Sequence, residues 1–310
     1  MAGWKVVLNG VTLSGGSDPG HGSLSVPPDG LGAPDLRVED VTFPQRDGVK
    51  HFADWYGPRI ITLADVMVCN DGCPGCPTAR RKVHEIVQAW SRHCDDTELV
   101  IWTDCPPDSD DEERAFTGPY GVVGRPRVAE VRWERSNIGC ASLLLRFDAV
   151  DHRLFVLDDT GEPGSGARCV ELHPTSEGRC RTYPRCYTPE WCYDEDSGTD
   201  GGLQDVLVTG TLCASPTITL HPSLTDPVIE NTTTGDTIGY RGTIPAGAEP
   251  VIIDTETGTA TQGGVSRTHL LTGNPRWTLD PGESVLRMIS FSGDDTGWAD
   301  ICWRPATVIA

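Results

Sequence analysis

Two β-branched runs, residues 60–68 and 99–102, flank an amphipathic stretch and constrain the fold more than any other feature. Between these runs, apolar residues recur at spacings of three and four, which is the pattern of one face of an α-helix. The residues on this face are Ala79, Val83, Ile86, Val87, Trp90 and Cys94. Pro77 is tolerated at the helix start, where its missing N–H has no partner to lose. We therefore predict a strand, a helix from residue 78 to about residue 94, and a second strand.

This strand–helix–strand unit predicts where five cysteines lie. The helix is about 25 Å long at about 1.5 Å per residue, so Cys94 lies at the opposite end from Cys76. The second strand runs back over about the same distance and returns Cys105 to the starting end. We expect Cys69, Cys73, Cys76 and Cys105 to converge, with Cys94 apart from them.

A cluster of four cysteines is compatible with three kinds of chemistry. Disulfides or plain thiols are the favoured interpretation, since two disulfides would explain the same four residues. Four thiolates could instead bind a structural zinc ion, and Cys73-Pro-Gly-Cys76 has the spacing of one zinc knuckle, but a second Cys-x2-Cys pair is missing. A Cys-x-x-Cys redox motif fits the start of a helix but leaves the other two cysteines unexplained. Apart from this zinc alternative, we expect no cofactor.

The N-terminal segment carries the strongest turn signal in the sequence. Asn9-Gly10 lies between two β-branched runs and predicts a two-residue β-hairpin turn. Residues 14–34 are rich in Gly, Pro, Ser and Asp and predict a long loop, a kind that is usually functional or part of an interface. We predict that copies of the chain assemble through edge-strand pairing or loop exchange in this segment, which involves Asn9, Gly10, Gly15 and Gly16.

The rest of the chain divides by composition. Residues 36–45, 120–135 and 140–150 predict strands, the last of which alternates as a half-buried antiparallel strand does. A connector rich in Gly, Pro and aromatic residues carries four further cysteines, Cys169, Cys180, Cys186 and Cys192. We predict three segments: an N-terminal domain at 1–158, the connector at 159–202, and a C-terminal domain at 203–310.

Short strands separated by regular turns dominate the C-terminal segment. Their spacing of about 8–12 residues is typical of an antiparallel β-sandwich. The predicted strands are 206–213, 217–221, 228–231, 237–241, 250–254, 268–271, 285–290 and 299–303.

Charge and motif content exclude several classes of protein. The chain has 25 basic and 45 acidic residues and a net charge of −20, which disfavours binding to a nucleic-acid backbone. It has no Gly-x-Ser-x-Gly, no glycine-rich phosphate loop and no His-Glu-x-x-His, so we expect no enzymatic activity.

Signal and membrane segments, and then the cysteine count, indicate the compartment in which we expect the protein. The sequence begins without a secretory signal and has no apolar run of about 18 residues, so we expect a soluble protein made in a cytosol. Twelve cysteines are unusual there, which favours either metal binding or release from the cell by another route, such as lysis.

The order of these parts resembles one family. Arg59-Ile-Ile-Thr-Leu, the cysteine-flanked helix and Glu98-Leu-Val-Ile-Trp-Thr-Asp resemble the ring-forming domain of tail-tip proteins from long, flexible-tailed phages. Pro227-Val-Ile-Glu-Asn, Val251-Ile-Ile-Asp and Trp277-Thr-Leu-Asp-Pro-Gly resemble the galectin-like sandwich of the same proteins. Over its whole length the chain is similar to the distal tail protein family, often labelled minor tail proteins, in the version carried by phages of actinobacteria.

The resemblance implies a fold and a set of partners. The fold would be mainly β, with an N-terminal ring-forming (belt) domain that holds one packed α-helix and a C-terminal galectin-like antiparallel β-sandwich. Six copies would form a ring at the tail tip of the virion, between the tail tube protein and the baseplate hub or tail-associated protein. The tape measure protein and DNA would pass through the ring without specific binding, and no membrane would be involved.

Two other functions are compatible with the sequence. A carbohydrate-binding module could recognise host glycans by stacking exposed Trp or Tyr side chains on sugars. A zinc-dependent regulator or enzyme would use the predicted cysteine cluster.

Overall fold

The computed structural model describes residues 4–14, 22–24, 26–37, 41–42, 49–50, 55–69, 79–91, 96–102, 119–133, 139–175, 203–290 and 296–309. The chain forms two compact units. The first unit contains Met1–Gly166, Gly210–Leu212 and Ala306–Ala310, and the second contains Ala167–Thr209 and Cys213–Pro305. The chain therefore passes between the units more than once, and its last residues belong to the first unit.

Strands dominate both units, and among the described residues α1 (Ala79–Trp90) is the single α-helix. This confirms the predicted mainly β fold with one packed helix. The strands in chain order are β1 (Lys5–Leu8), β2 (Val11–Ser14), β3 (Ser23–Leu24), β4 (Leu36–Arg37), β5 (Val41–Thr42), β6 (Val49–Lys50), β7 (Trp55–Tyr56), β8 (Ile60–Val68), β9 (Thr97–Trp102), β10 (Tyr120–Trp133), β11 (Ala141–Ala149), β12 (Leu154–Val156), β13 (Arg168–Leu172), β14 (Pro174–Thr175), β15 (Leu203–Val208), β16 (Thr217–Leu220), β17 (Leu224–Thr225), β18 (Val228–Asn231), β19 (Thr237–Tyr240), β20 (Thr243–Ile244), β21 (Val251–Asp254), β22 (Thr259–Gln262), β23 (Val265–Ser266), β24 (Leu271–Gly273), β25 (Gly282–Ile289), β26 (Ala299–Trp303) and β27 (Ala306–Thr307).

A nine-stranded antiparallel sheet forms the body of the first unit. Its order is β2-β1-β9-β10-β11-β8-β3, and β12 pairs with both β10 and β27. The sheet opens with the predicted hairpin, in which Asn9 (φ 51°) and Gly10 (φ 76°) supply the two positive φ angles of a type I′ turn. At the far edge, a Cβ on Gly22 would lie 2.3 Å from the Leu13 carbonyl oxygen, so the chain entering β3 packs directly against β2. The sheet therefore curls until its two ends approach each other.

A bulge explains the burial pattern of β8. Leu63 and Val66 are both fully buried although two residues lie between them, which breaks strict alternation. The pairing of β8 with β11 shifts register between these positions, and Asp65 has a positive φ of 63° at the shift. The extra residue returns Val66 to the core side of the sheet.

The helix packs its predicted face into this core. Ala79, Val83, Ile86 and Trp90 are buried, and the Trp90 ring meets the Phe147 ring edge-on with centroids 6.1 Å apart. Since an amphipathic helix gains most of its stability from such burial, the periodicity identified the helix correctly. The described helix ends at Trp90, and Cys94, which we predicted near its end, lies outside the described residues.

Two six-stranded sheets form the second unit. One has the order β13-β26-β16-β21-β22-β23, and the other has the order β14-β25-β18-β19-β24 with β15 also paired to β25. Side chains from both sheets, among them Ile218, Ile301, Ile229 and Leu286, belong to a single buried cluster. The unit is thus a β-sandwich, as the regular strand spacing predicted. Its galectin-like character stays a prediction.

The structure matches the predicted strands 228–231 and 299–303 at both ends, and it places β16, β19 and β21 within one residue of the predicted strands 217–221, 237–241 and 250–254. Residues 268–271 were predicted as a strand, but Thr268–Leu270 forms a 3-10 turn. The Thr268 hydroxyl accepts a hydrogen bond from the Ala260 N–H at 3.0 Å, and this side-chain bond to a neighbouring strand replaces strand pairing there. Residues 36–45 were predicted as one strand, but they contain β4 and β5 in two separate pairs.

The predicted loop at 14–34 is wrong in its second half. Leu24 and Leu31 are buried, β3 pairs with β8, and Asp29 forms a β-bridge with Thr62. Residues 22–34 are therefore part of the first unit's fold and not a free loop.

Candidate functional site

The structure changes the role of one cysteine in the predicted cluster. Cys69 forms a disulfide with Cys140, with their Cα atoms 4.0 Å apart. The two cysteines directly follow and precede the paired residues Val68 and Ala141, so they face each other across β8 and β11. An oxidised sulfur has no thiolate to offer to zinc, so the prediction that Cys69 joins the other three cysteines as a ligand or disulfide partner is corrected.

The sequence contained a signal for this pair that we did not use. Cys69 ends one alternating run and Cys140 begins another, and antiparallel neighbours would place such ends side by side. The other members of the predicted cluster, Cys73, Cys76 and Cys105, lie outside the described residues, and their convergence stays a prediction. Within the part of the chain that the structure describes, no group of three or more His, Cys, Asp or Glu side chains could hold a metal ion.

A second disulfide joins the predicted connector to the sandwich. Cys169 on β13 bonds to Cys302 on β26, directly opposite in the strand register. Cys180, Cys186 and Cys192 fall outside the described residues. Among the described cysteines, Cys213 is a free and exposed thiol, and burial together with a hydrogen bond to Asp280 raises its pKa above the ordinary value. A raised pKa makes this thiol a weak nucleophile.

The predicted assembly residues are only partly described. The Asn9 side chain donates to the Ala89 carbonyl oxygen at 3.2 Å and accepts from the Thr97 hydroxyl at 2.6 Å. Asn9 therefore ties the hairpin turn to α1 and β9 within one chain. A Cβ on Gly10 would meet nothing within 4 Å, so the tip of the turn stands open. Gly15 and Gly16 lie outside the described residues.

Arg59 is a buried cation that the sequence analysis did not single out. Its side chain is 2% exposed and, among the described residues, donates to four backbone carbonyls: to His152 at 2.8 Å, to Gly30 at 2.5 Å, to Gly32 at 2.9 Å and to Val308 at 2.5 Å. Burial lowers its pKa to about 10, and the nearby Asp151 carboxylate acts against that shift. Arg59 thus stays charged near neutral pH and holds three separate segments of the first unit together.

Arginines lie along the outer face of the hairpin formed by β10 and β11. Arg125 pairs with Asp96, and Arg127 and Arg146 lie 3.3 Å and 2.9 Å from the two oxygens of Asp148. A groove of about 320 Å³ lies at this point. Its lining residues are Asp96, Arg125, Arg127, Asp148, Ala149 and Val150. The charged side chains of the groove are partly exposed and already paired with one another, so the groove lacks the mostly apolar, enclosed lining of a typical ligand pocket.

His221, Trp298 and Asp300 form a partly exposed aromatic–carboxylate group in the second unit. The His221 ring stacks on the Trp298 ring with centroids 4.5 Å apart and an angle of 13° between the planes. The Nε2 atom of His221 lies 2.8 Å from a carboxylate oxygen of Asp300. Flat aromatic rings can pack on the apolar face of a sugar, and a carboxylate beside them can accept hydrogen bonds from the sugar hydroxyls.

Comparison with solved structures gives a match over the full length. The crystal structure of the Dit protein of phage SPP1 aligns with a TM-score of 0.58 over 98% of both chains, at 13% sequence identity. The chain has the Dit fold. Two structures of the phage P2 baseplate in its activated conformation, determined with Ca and with Sr, align over 99% of both chains at 10% identity, with TM-scores of 0.46 and 0.44, and carry no part of the argument.

The Dit fold extends over both units, since nearly all of each chain is covered. At this level of identity the likeness concerns the fold alone. No protein-family model and no curated protein sequence matches the chain. Among the described residues, no helix has the length and apolar character needed to cross a membrane.

Proposed function

We infer that this chain is a structural protein of a phage tail tip or baseplate. The observation that carries this proposal is the full-length likeness to SPP1 Dit, which is described as a paradigm of the hub adsorption apparatus in phages that infect Gram-positive bacteria. A match across 98% of both chains is stronger support than a match of one domain, since it includes the order of the two units. The localisation that follows is the virion tail, and the role is not enzymatic.

The finer proposal is a hexameric ring. Six copies join the tail tube protein to the baseplate hub, and the tape measure protein and then DNA pass through the central hole. The net charge of −20 supports passage without binding, because a phosphate backbone is repelled by an acidic surface. The motif resemblance supports the distal tail protein of a phage of actinobacteria, made in the host cytoplasm.

The two disulfides found among the described residues support a protein that works outside the cell. Cys69–Cys140 and Cys169–Cys302 each join neighbouring strands, and such bonds persist in oxidising surroundings. Release by lysis would bring a protein made in the host cytoplasm into such surroundings. The proposal needs no cofactor.

Imaging of the purified protein tests the ring. Negative-stain images and the native mass of the full-length chain should show a six-fold ring with a central hole. A stable monomer over the whole accessible concentration range would contradict the ring.

A second candidate function, recognition of host glycans, is favoured by the partly exposed stack of His221 on Trp298 beside Asp300. A glycan array should use the full chain, because β13 and its disulfide belong to the sandwich and a fragment starting at residue 203 would lose them. Specific binding that Trp298→Ala abolishes would support this function. An array without signal would exclude it for the glycans displayed.

A further inference from the structure

One strand of the first unit comes after the whole second unit in the chain. This strand, β27 (Ala306–Thr307), pairs with residues 154–155 of β12, and both of its residues are buried. Residues 213–305 of the second unit separate it from the preceding segment of the first unit, residues 210–212. We name residues 306–309 the strap.

The strap is bonded to the segment 210–212. The Thr211 N–H donates to the Ala306 carbonyl oxygen at 3.0 Å, and the hydroxyl oxygens of Thr211 and Thr307 lie 3.0 Å apart. The Val308 N–H donates to the Thr211 hydroxyl oxygen at 3.4 Å. The strap therefore holds this segment as well as β12 in place.

The strap also supplies one of the acceptors of Arg59. The guanidinium donates to the Val308 carbonyl oxygen at 2.5 Å, and it also donates to the carbonyl oxygens of Gly30, Gly32 and His152. Release of the strap would leave this buried cation one acceptor short and would uncover the side of β12 that faces away from β10. The first unit is therefore incomplete until the strap is in place.

The disulfide Cys169–Cys302 lies close in sequence to the points at which the chain leaves and re-enters the first unit. Cys169 follows Gly166, the last residue of the first long segment of that unit, by three positions, and Cys302 precedes Ala306 by four. A Cβ on Gly166 would lie 2.3 Å from the Val156 carbonyl oxygen, so the chain leaves the first unit beside β12, the strand with which the strap pairs. Through the disulfide, only about seven residues connect these two points.

Without the disulfide, the connection to the strap is much longer whenever the second unit is unfolded. The route along the chain then comprises residues 213–305, about 90 residues. The probability that the ends of a flexible loop meet falls with about the 3/2 power of its length, so the disulfide should raise the local concentration of the strap at β12 about 30–50-fold. While the second unit is folded, the pairing of β13 with β26 holds the same residues together, so the effect appears only when that unit opens.

We propose that Cys169–Cys302 is a tether that keeps the strap on the first unit when the second unit opens, so that a disulfide within one unit stabilises the other. This inference goes beyond the proposed function. It concerns a single chain, so failure of the ring would leave it standing, and its own failure would leave the ring standing. The tether operates where disulfides persist, which is in oxidising surroundings.

The test compares two variants of the full-length chain in which the second unit is unfolded. Ile218→Asp places a carboxylate in the sandwich core, where Ile218 is fully buried. Urea is added, without reductant, until peptides from β16 and β21 of this variant exchange their amide hydrogens as an unfolded chain does. At that urea concentration, peptides from β8, β11 and β12 should exchange about 30–50-fold faster in Ile218→Asp/Cys169→Ser/Cys302→Ser than in Ile218→Asp.

Two controls separate the tether from other effects of the substitutions. Ile218→Asp/Cys213→Ser loses an exposed free thiol and should exchange as Ile218→Asp does. Chains that end at Pro305 have no strap to tether, so in the Ile218→Asp background Cys169→Ser/Cys302→Ser should make no difference to their first unit.

The same measurement gives the results that would contradict the tether. Equal exchange of the first-unit peptides with and without the disulfide in the full-length chain would overturn the inference, and so would absence of protection in both variants. The same acceleration in chains that end at Pro305 would also overturn it, because the effect would then not depend on the strap. Peptide mapping without reduction verifies that Cys69–Cys140, which lies in the first unit itself, is intact in every sample.

Discussion

Replacement of Arg59 by Met should cost the first unit a large part of its stability. The guanidinium donates four hydrogen bonds to partly buried backbone carbonyls in the segments around residues 30–32, 152 and 308. Each buried acceptor left without a donor costs about 1–3 kcal/mol. Two effects offset part of this loss of hydrogen bonds. The substitution removes the cost of burying the Arg59 charge, which is seen in the pKa lowered to about 10, and water can enter and bond the freed carbonyls. We expect a net loss of about 3–5 kcal/mol, against total stabilities of about 5–15 kcal/mol for typical proteins.

Two comparison variants separate the geometry of Arg59 from its charge. Arg59→Lys keeps the charge but has three donors on one nitrogen, so it cannot reach all four carbonyls and should lose about 1–3 kcal/mol. Arg127→Gln removes an exposed arginine that is also ion-paired and should lose less than about 1 kcal/mol.

The assay must report on the first unit alone, because two units need not unfold together. Hydrogen exchange of peptides from β8 and β11, measured along a urea titration, gives the stability of that unit. Peptides from residues 26–34 and 306–309 should lose protection first in Arg59→Met, since their carbonyls lose the donor. A loss below about 1 kcal/mol for Arg59→Met, or equal losses for Met and Lys, would refute the reasoning.

Three further predictions concern the disulfide, one glycine and one carboxylate. Cys69→Ser/Cys140→Ser should lower stability by about 2–4 kcal/mol under oxidising conditions, and the difference from the wild type should vanish on urea titration in reductant. Gly30→Ala should cost about 2–3 kcal/mol, because φ is +90° and the new Cβ would lie 1.9 Å from a carbonyl oxygen, whereas Gly10→Ala, with open space around it, should cost about 1 kcal/mol in the same thermal melt. Hydrogen bonds, first of all from the Thr160 hydroxyl, lower the pKa of Asp158 in the folded state. The contribution of Asp158 to stability is therefore present above its unfolded-state pKa of about 4 and is lost as the pH falls through its folded-state pKa. Asp158→Asn should therefore flatten the acid side of the stability profile, and an unchanged profile would contradict the assignment.

The elements that the sequence predicted are those set by local patterns. The helix face of Val83, Ile86 and Trp90 and the Asn9-Gly10 turn depend on residues that are close in sequence, so periodicity and turn chemistry were sufficient. The same holds for the regular strands of the sandwich.

The contacts that the sequence missed are long-range. Cys69 was grouped with cysteines near it in sequence, but its partner Cys140 lies 71 residues away and is set by strand register. Arg59 gave no signal because its acceptors are backbone carbonyls, which every residue carries. The described second half of the predicted loop at 14–34 was wrong for the same reason, since Leu31 is buried through tertiary packing and not through a local pattern.

Antibody labelling of phage particles tests the central claim most directly. Antibodies against the full-length chain, visualised by gold in electron micrographs of intact particles that carry the gene, should label one point at the end of the tail farthest from the capsid. Label on the capsid, label along the whole tail tube, or protein confined to the lysate and absent from particles would contradict the assignment to the tail tip.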